Sequence, residues 1–169
     1  MKICRRNQKG FSLIELLVVV AIILIVAAIA IPNLLQARVA TNEASAVASL
    51  RTIHIAMTSY STKYWAVGFA PDLADLGGTS CNPGSQTSAC LIDTVLAAGN
   101  KNGYSFSASS FNATGMGSAP ANEYLSVGLP VDGNGNRSFC STEDGVIHFD
   151  PAGNAIADHD SCQALTPLQ

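Results

Sequence analysis

The sequence predicts an α+β fold, in which one long N-terminal helix precedes an antiparallel sheet of about four strands. Residues 33–65 contain neither glycine nor proline, and apolar side chains recur there at helical spacing. Residues 68–103 are rich in glycine and proline, which indicates loops around a short helix near 91–98. Beyond residue 103, β-prone segments at 104–108, 123–129, 137–141 and 146–149 alternate with turn residues. At 169 residues, the chain fits one folded domain.

The long helix is predicted to have two unlike halves. Sixteen residues from Leu16 to Ile31 are apolar without interruption, and residues 11–31 include only Ser12 and Glu15 as polar side chains. Twenty-one residues span about 31 Å, the thickness of a bilayer's hydrocarbon core. The second half carries an amphipathic stripe that is expected to pack on the sheet, and polar residues such as Glu43 fill its other faces. A core helix joined by a flexible break at Pro32 is the alternative.

The charges are unevenly divided along the chain. Four basic residues and no acidic residue precede Gly10, whereas five basic residues and all 12 acidic residues follow it. An acidic folded part argues against nucleic acid as the primary partner. Basic residues ahead of an apolar segment place the N-terminus in the cytoplasm and the rest across the membrane. A cleaved signal peptide ending near Ala30 and a plain signal anchor are the alternatives, although the apolar segment is longer than a signal peptide's.

Glu15 is the one charged residue inside the apolar segment. A carboxylate at such a position costs about 2.5–3.5 kcal/mol on insertion scales, so it usually has a partner. If the chain were cut between Gly10 and Phe11, the new α-amino group of another copy would attract it by about 4 kcal/mol at 4 Å and an effective dielectric of 20. The alternative is that Glu15 reaches the membrane interface by itself.

The residues from Lys9 to Leu16, with the apolar run and Pro32, resemble the class III prepilin leader and N-terminus of type IV pilins and type II secretion pseudopilins. In that family a prepilin peptidase cuts after the glycine and methylates the next residue. The resemblance therefore implies cleavage between Gly10 and Phe11, methylation of Phe11, and roles for Phe11, Glu15 and Pro32 in assembly. Residues 42–45, 68–73 and 137–139 are similar to segments of type IV major pilins.

The resemblance implies a type IV pilin-like roll and a division of the chain into a leader (1–10), a transmembrane and filament-core helix (11–32), an amphipathic helix (33–66) and an extracellular head (67–169). The expected function is that of a structural subunit of a helical pilus filament, in motility, adhesion or DNA uptake. The expected partners are further copies of the chain, the prepilin peptidase and the assembly machinery. Before assembly the chain would lie in the bacterial inner membrane. A major pseudopilin is one alternative, and an anchored or secreted binding or enzyme domain is another.

Four cysteines remain after Cys4, which would leave with the leader. An even number in an exported domain indicates disulfides, and three connectivities are possible. We take the pairing of neighbours, Cys81 with Cys90 and Cys140 with Cys162. Each bond would contribute about 2–4 kcal/mol.

Metal binding and catalysis have little support in the sequence. Asp150, Asp158 and Asp160 are weak calcium candidates, a solvated acidic tail being the alternative reading. Residues 132–143 mimic an EF-hand loop, but Arg137 stands where that loop needs glycine. No nucleophile motif accompanies the three histidines, so we expect no enzyme activity and no cofactor. A glycosylation sequon occurs at 112–114.

Overall fold

The computed structural model describes residues 10–79, 81, 84–112 and 120–168. In this part of the chain it confirms the α+β fold, with a long helix followed by an antiparallel sheet. The helices are α1 (Leu13–Lys63), α2 (Leu73–Leu76), α3 (Thr94–Ala97) and α4 (His159–Gln163). The strands are β1 (Asn100–Lys101), β2 (Tyr104–Phe111), β3 (Glu123–Pro130), β4 (Ser138–Ser141), β5 (Ile147–Asp150) and β6 (Thr166–Pro167).

The sheet has six strands in the described residues, so the prediction of about four was too low. The four predicted segments correspond to β2, β3, β4 and β5. The other two, β1 and β6, have only two residues each and extend the sheet at its edges. The strand order follows the chain from β1 to β6, and every neighbouring pair is antiparallel.

Helix α1 has 51 residues, which confirms the predicted long N-terminal helix. Pro32 lies inside it. After Lys63 the chain leaves the helix through a turn to Gly68, whose φ of +86° is a conformation that L side chains rarely adopt. By internal packing the chain divides into two units, Met1–Ala37 and Arg38–Gln169.

Within the second unit, the sheet is covered on both faces. The stripe on α1 buries Ala46, Leu50, Ile53, Met57 and Tyr60 against aromatic side chains of β2, β3 and β4. On the other face, a second cluster joins Leu125 and Val127 of β3 to the buried cysteines and to the chain around α4. Strand β3 therefore contributes to both clusters, which explains its nearly continuous burial.

Glu43, on the polar side of α1, is buried, whereas the sequence pattern predicts that it is exposed. Only 6% of its surface is exposed. Its carboxylate accepts hydrogen bonds from the Arg137 side chain and from the backbone N–H of Asn136. These donors offset the cost of burying the charge.

Candidate functional site: the N-terminal helix and the sites of the head

The predicted cleavage point lies just outside α1. Gly10, Phe11 and Ser12 precede the first helical residue, and the Leu16 N–H donates to the Ser12 carbonyl oxygen at 3.2 Å. Ser12 is thus the N-cap residue of α1. The Phe11 side chain is 79% exposed, and nothing lies within 4 Å of the position of a Cβ on Gly10. The peptide bond between Gly10 and Phe11 is accessible within the described residues.

Glu15 lies in the first turn of α1 and is exposed. A carboxylate there interacts favourably with the partial positive charge of a helix N-terminus. Ser12 and Glu15 also have the spacing of a capping box, a signal for the start of α1 that the sequence reasoning missed. In the part of the chain that the structure describes, the Glu15 carboxylate has no hydrogen bond or ion pair. It is free to meet a positive group from outside this subunit.

The surface of α1 around and beyond Glu15 is apolar on every side. Seventeen large apolar side chains between residues 11 and 35 are exposed. By length and composition α1 could cross a membrane, and the apolar window that meets this test is unburied among the described residues. A helix that is apolar all round is normally buried in a bilayer or among other helices. This surface needs a lipid or protein environment.

Pro32 interrupts the hydrogen bonding of α1 without ending the helix. Proline has no backbone N–H, so the bond that would join residue 32 to the carbonyl of Ala28 cannot form. In an apolar environment that carbonyl needs another donor or a local adjustment of the helix. Pro32 is therefore a weak point in the backbone hydrogen bonding of α1.

Parts of the predicted leader and the sequon lie outside the described residues. These are residues 1–9, with Cys4 and the four basic residues ahead of Gly10, and residues 113 and 114 of the sequon at 112–114.

Both disulfides form with the neighbour pairing expected from the sequence. Cys81 is bonded to Cys90, with Cα atoms 5.6 Å apart, and Cys140 to Cys162, with Cα atoms 6.0 Å apart. The second bond is fully buried and joins β4 to α4. Helix α4, which lies between β5 and β6 in the chain, is therefore covalently attached to the sheet.

The three calcium candidates each have a local task and are not brought together. The Asp150 carboxylate accepts the backbone N–H groups of Ala152 (3.0 Å) and Asn154 (3.1 Å), which lower its pKa. Asp158 is the N-cap of α4, and the Ser161 N–H lowers its pKa. Asp160 is exposed. Among the described residues, these aspartates do not form a group of ligands close enough to share an ion.

Two of the three histidines have structural partners. A ring nitrogen of His54, Nδ1, lies 2.7 Å from the Tyr124 hydroxyl, and His159 Nε2 lies 3.0 Å from a carboxylate oxygen of Glu143. His54 lines an open groove of about 520 Å³ on one side of α1, together with Ile55, Thr58, Ser59, Thr62 and Lys63. Among the described residues, no carboxylate or thiol lines this groove to complete a catalytic arrangement with His54.

The comparisons with known proteins each cover part of the chain. Residues 5–31 match the family model of the prokaryotic N-terminal methylation motif. The chain is 60% identical over 45 residues to the type IV wide pilus major component PilA4 of Thermus thermophilus, which covers 27% of this chain and 34% of the relative. It is 40% identical over 81 residues to the type IV major pilin protein PilA of Myxococcus xanthus, covering 43% of this chain and 37% of that relative.

The matches span about a third of the length of these curated relatives. No solved structure matches the chain. The chain carries the prokaryotic N-terminal methylation motif, and over part of its length it is similar to two major components of type IV pili.

Proposed function

We propose that this chain is a structural subunit of a type IV pilus filament, which serves motility, adhesion or DNA uptake. The observation that carries the proposal is the all-round apolar surface of α1 next to a methylation motif. The names of the two relatives, a wide pilus major component and a major pilin, support the same conclusion.

Before assembly, residues 11–32 hold the precursor in the inner membrane, with the basic leader (residues 1–10) in the cytoplasm and the head (residues 67–169) outside. A prepilin peptidase then cuts between Gly10 and Phe11 and methylates the new amino group of Phe11. The exposed position of this bond ahead of α1 suits such a cut. The assembly machinery moves the processed subunit from the membrane into the filament, whose surface lies outside the cell.

In the filament, the apolar halves of α1 from many copies bundle into a core, and residues 33–66 connect that core to the head. Burying about twenty apolar side chains at about 1.5–3 kcal/mol each gives some tens of kcal/mol before the entropy of association. One ion pair between Glu15 and the Phe11 amine of a neighbour is worth about 4 kcal/mol. Apolar burial therefore dominates the stability, and Glu15 sets the axial register of each incoming subunit.

Pro32 gives α1 a place to adjust during this transfer. The carbonyl of Ala28 has no helical donor there, so local stretching costs less than elsewhere in α1. In the bundle, neighbouring helices or local rearrangement satisfy the freed group.

The experiment is to express the native chain, shear surface material from the cells, and examine it by electron microscopy with an antibody against the head. Mass spectrometry of the sheared subunit reads its N-terminus. The proposal requires long labelled fibres whose subunit begins at Phe11 and carries one methyl group. Short material confined to the envelope would identify a secretion pseudopilin instead. An uncut leader, with the chain present as dispersed monomers, would contradict a filament subunit and favour an anchored binding or enzyme domain.

A further inference from the structure

Three side chains of the kinds that bind metals meet between the sheet and α4. Cys140 of β4 stands directly opposite His148 of β5 in the antiparallel register, and Cys162 of α4 is bonded to Cys140. All three residues are buried, with 0%, 7% and 0% of their surface exposed. Their two sulfurs and one imidazole nitrogen lie within 4.8 Å of one another.

His148 carries a buried polar atom that the fold does not use. Its Nδ1 is inaccessible to solvent and has no hydrogen-bond partner within the described parts of the chain. An unsatisfied buried group of this kind costs about 1–3 kcal/mol. A phenyl ring at this position would avoid that cost, as Phe149 does one residue later on the same strand. Packing alone therefore does not explain why a histidine stands at this position.

The chemistry of the cluster depends on the state of the sulfur atoms. As a disulfide, Cys140 and Cys162 are poor metal ligands. As thiolates they are, with a neutral imidazole, the donors that zinc prefers in proteins, at about 2.3 Å for sulfur and about 2.0–2.1 Å for nitrogen. A tetrahedral ion places its two sulfurs about 3.7 Å apart. Rotation of the two side chains supplies that separation, because the Cα atoms are already 6.0 Å apart.

We propose that the dithiol form of the chain binds one zinc ion through Cys140, Cys162 and His148, with water as the fourth ligand. Binding takes up one Zn²⁺ and releases the two thiol protons. Oxidation by a disulfide reverses it: the two thiolates give up two electrons to form the Cys140–Cys162 bond, the oxidant is reduced to two thiolates, and the ion leaves. Zinc would hold α4 on the sheet until the covalent bond forms.

The other cysteine pair provides an internal control. Cys81 and Cys90 form no group with a third ligand-type side chain among the described residues. Cys81 is also exposed, whereas both sulfurs of the proposed site are buried. Two cysteines without histidine should bind zinc much more weakly than the proposed set.

The test uses the full chain in detergent micelles with Cys4→Ser, Cys81→Ser and Cys90→Ser, so that only the proposed site retains cysteines. A phosphine gives two electrons to the disulfide, and one water molecule supplies the oxygen of the phosphine oxide and the protons of the two thiols. Zinc is then titrated, and cadmium reports thiolate ligation by its charge-transfer absorbance. We expect one ion per chain, the release of two protons, and a higher melting temperature with zinc. No binding, or binding without thiolate absorbance, overturns the proposal.

The role of His148 is tested by two substitutions in the same background. His148→Gln should weaken zinc binding by about 100-fold or more, beyond the effect of losing a merely supporting partner. His148→Cys supplies a different zinc ligand and should restore binding. A control chain keeps Cys81 and Cys90 and carries Cys140→Ser and Cys162→Ser. It should bind zinc as weakly as the His148→Gln variant. Circular dichroism of the oxidised His148 variants checks that they fold. The proposal is overturned if His148→Gln binds zinc as tightly as the chain with His148. It is also overturned if the chain that keeps only Cys81 and Cys90 binds zinc as tightly as the chain that keeps only Cys140 and Cys162.

Discussion

Glu43 of α1 and Arg137, 94 residues later in the chain, form an ion pair that joins the helix to the sheet. One carboxylate oxygen accepts from Nε (2.9 Å) and Nη2 (2.6 Å) of the guanidinium, and the other accepts from the Asn136 N–H (3.0 Å). The same guanidinium lies over the rings of Phe139 and Phe149, about 5.5 Å from each centroid. The Glu43 side chain is 8% exposed, so its loss would leave the partly buried Asn136 N–H and Arg137 guanidinium without this acceptor.

The first prediction is that Glu43→Ala lowers the free energy of unfolding by about 2 kcal/mol. Breaking a fully buried pair costs about 3–5 kcal/mol, and we expect less because 38% of the Arg137 side chain is exposed. Urea denaturation of the full chain in micelles measures the change. Arg51→Ala, at an exposed arginine on the same helix, is the control and should change stability by less than about 0.5 kcal/mol. Equal effects of the two substitutions would show that the pair does not stabilise the head.

The second prediction concerns the relative value of the two disulfides. Replacing Cys140 and Cys162 by serine should destabilise the chain more than replacing Cys81 and Cys90, because the separations are 22 and 9 residues. Loop entropy alone gives a difference of about 0.7 kcal/mol, and the burial of Cys140 and Cys162 adds to it. Denaturation curves of the two double variants, recorded under the same conditions, show which disulfide contributes more to the free energy of unfolding. The reverse order would contradict the prediction.

The third prediction is a pH dependence that comes from His159. Burial opposes its protonation most strongly, but the hydrogen bond and charge of Glu143, together with Asp160 and Glu123, outweigh it and raise the pKa above 6.5. The protonated ring is therefore favoured in the fold. The stabilisation is complete below the unfolded pKa of about 6.5, and it is lost as the pH rises through the folded pKa.

We expect up to about 1 kcal/mol of stability to be lost between pH 5 and pH 8, since the pair is partly exposed. Denaturation curves at several pH values, compared with those of His159→Gln, isolate this contribution. Glutamine keeps a hydrogen bond to Glu143 but does not titrate. A wild-type pH profile parallel to that of the variant would rule out the contribution of His159.

The fourth prediction is that Glu15→Ala yields a chain that is processed and resides in the membrane but assembles poorly. The substitution removes an attraction of about 4 kcal/mol without reducing the apolar surface, so filament yield should fall at least tenfold. Shearing followed by immunoblotting measures it, with mass spectrometry to check cleavage before Phe11. Glu15→Asp keeps the charge on a shorter side chain, so it should reduce the filament yield less than Glu15→Ala does. Normal filament yield in Glu15→Ala would refute the role given to Glu15.

Much of the fold can be predicted from the spacing of apolar residues and the positions of turn residues in the sequence. The stripe at Leu50, Ile53 and Met57 and the absence of glycine and proline predict the second half of α1, and turn residues separate β2 to β5. Strands β1 and β6 escaped prediction because two residues cannot show an alternating pattern. Their positions depend on pairing with Tyr104 and Phe149, which lie on strands already formed.

The N-terminal methylation motif could be predicted because it is a local pattern, with a carboxylate at the start of an apolar run. The Glu43–Arg137 pair and the cluster at His148 depend on tertiary contacts that no spacing reveals. Glu43 has the sequence surroundings of a solvent-facing residue, and only the position of Arg137 in space explains its burial. The neighbour pairing of the cysteines came out right because each bond joins segments that are close along the chain.

The meander order of the six strands has a consequence for the timing of folding. Each strand pairs with the one made just before it, so a head emerging progressively on the far side of a bilayer can add strands one by one. No early strand has to wait, with its edge open to neighbouring chains, for a partner encoded much later. The bond to Cys162 forms after β5 has arrived, because this cysteine lies 22 residues beyond Cys140.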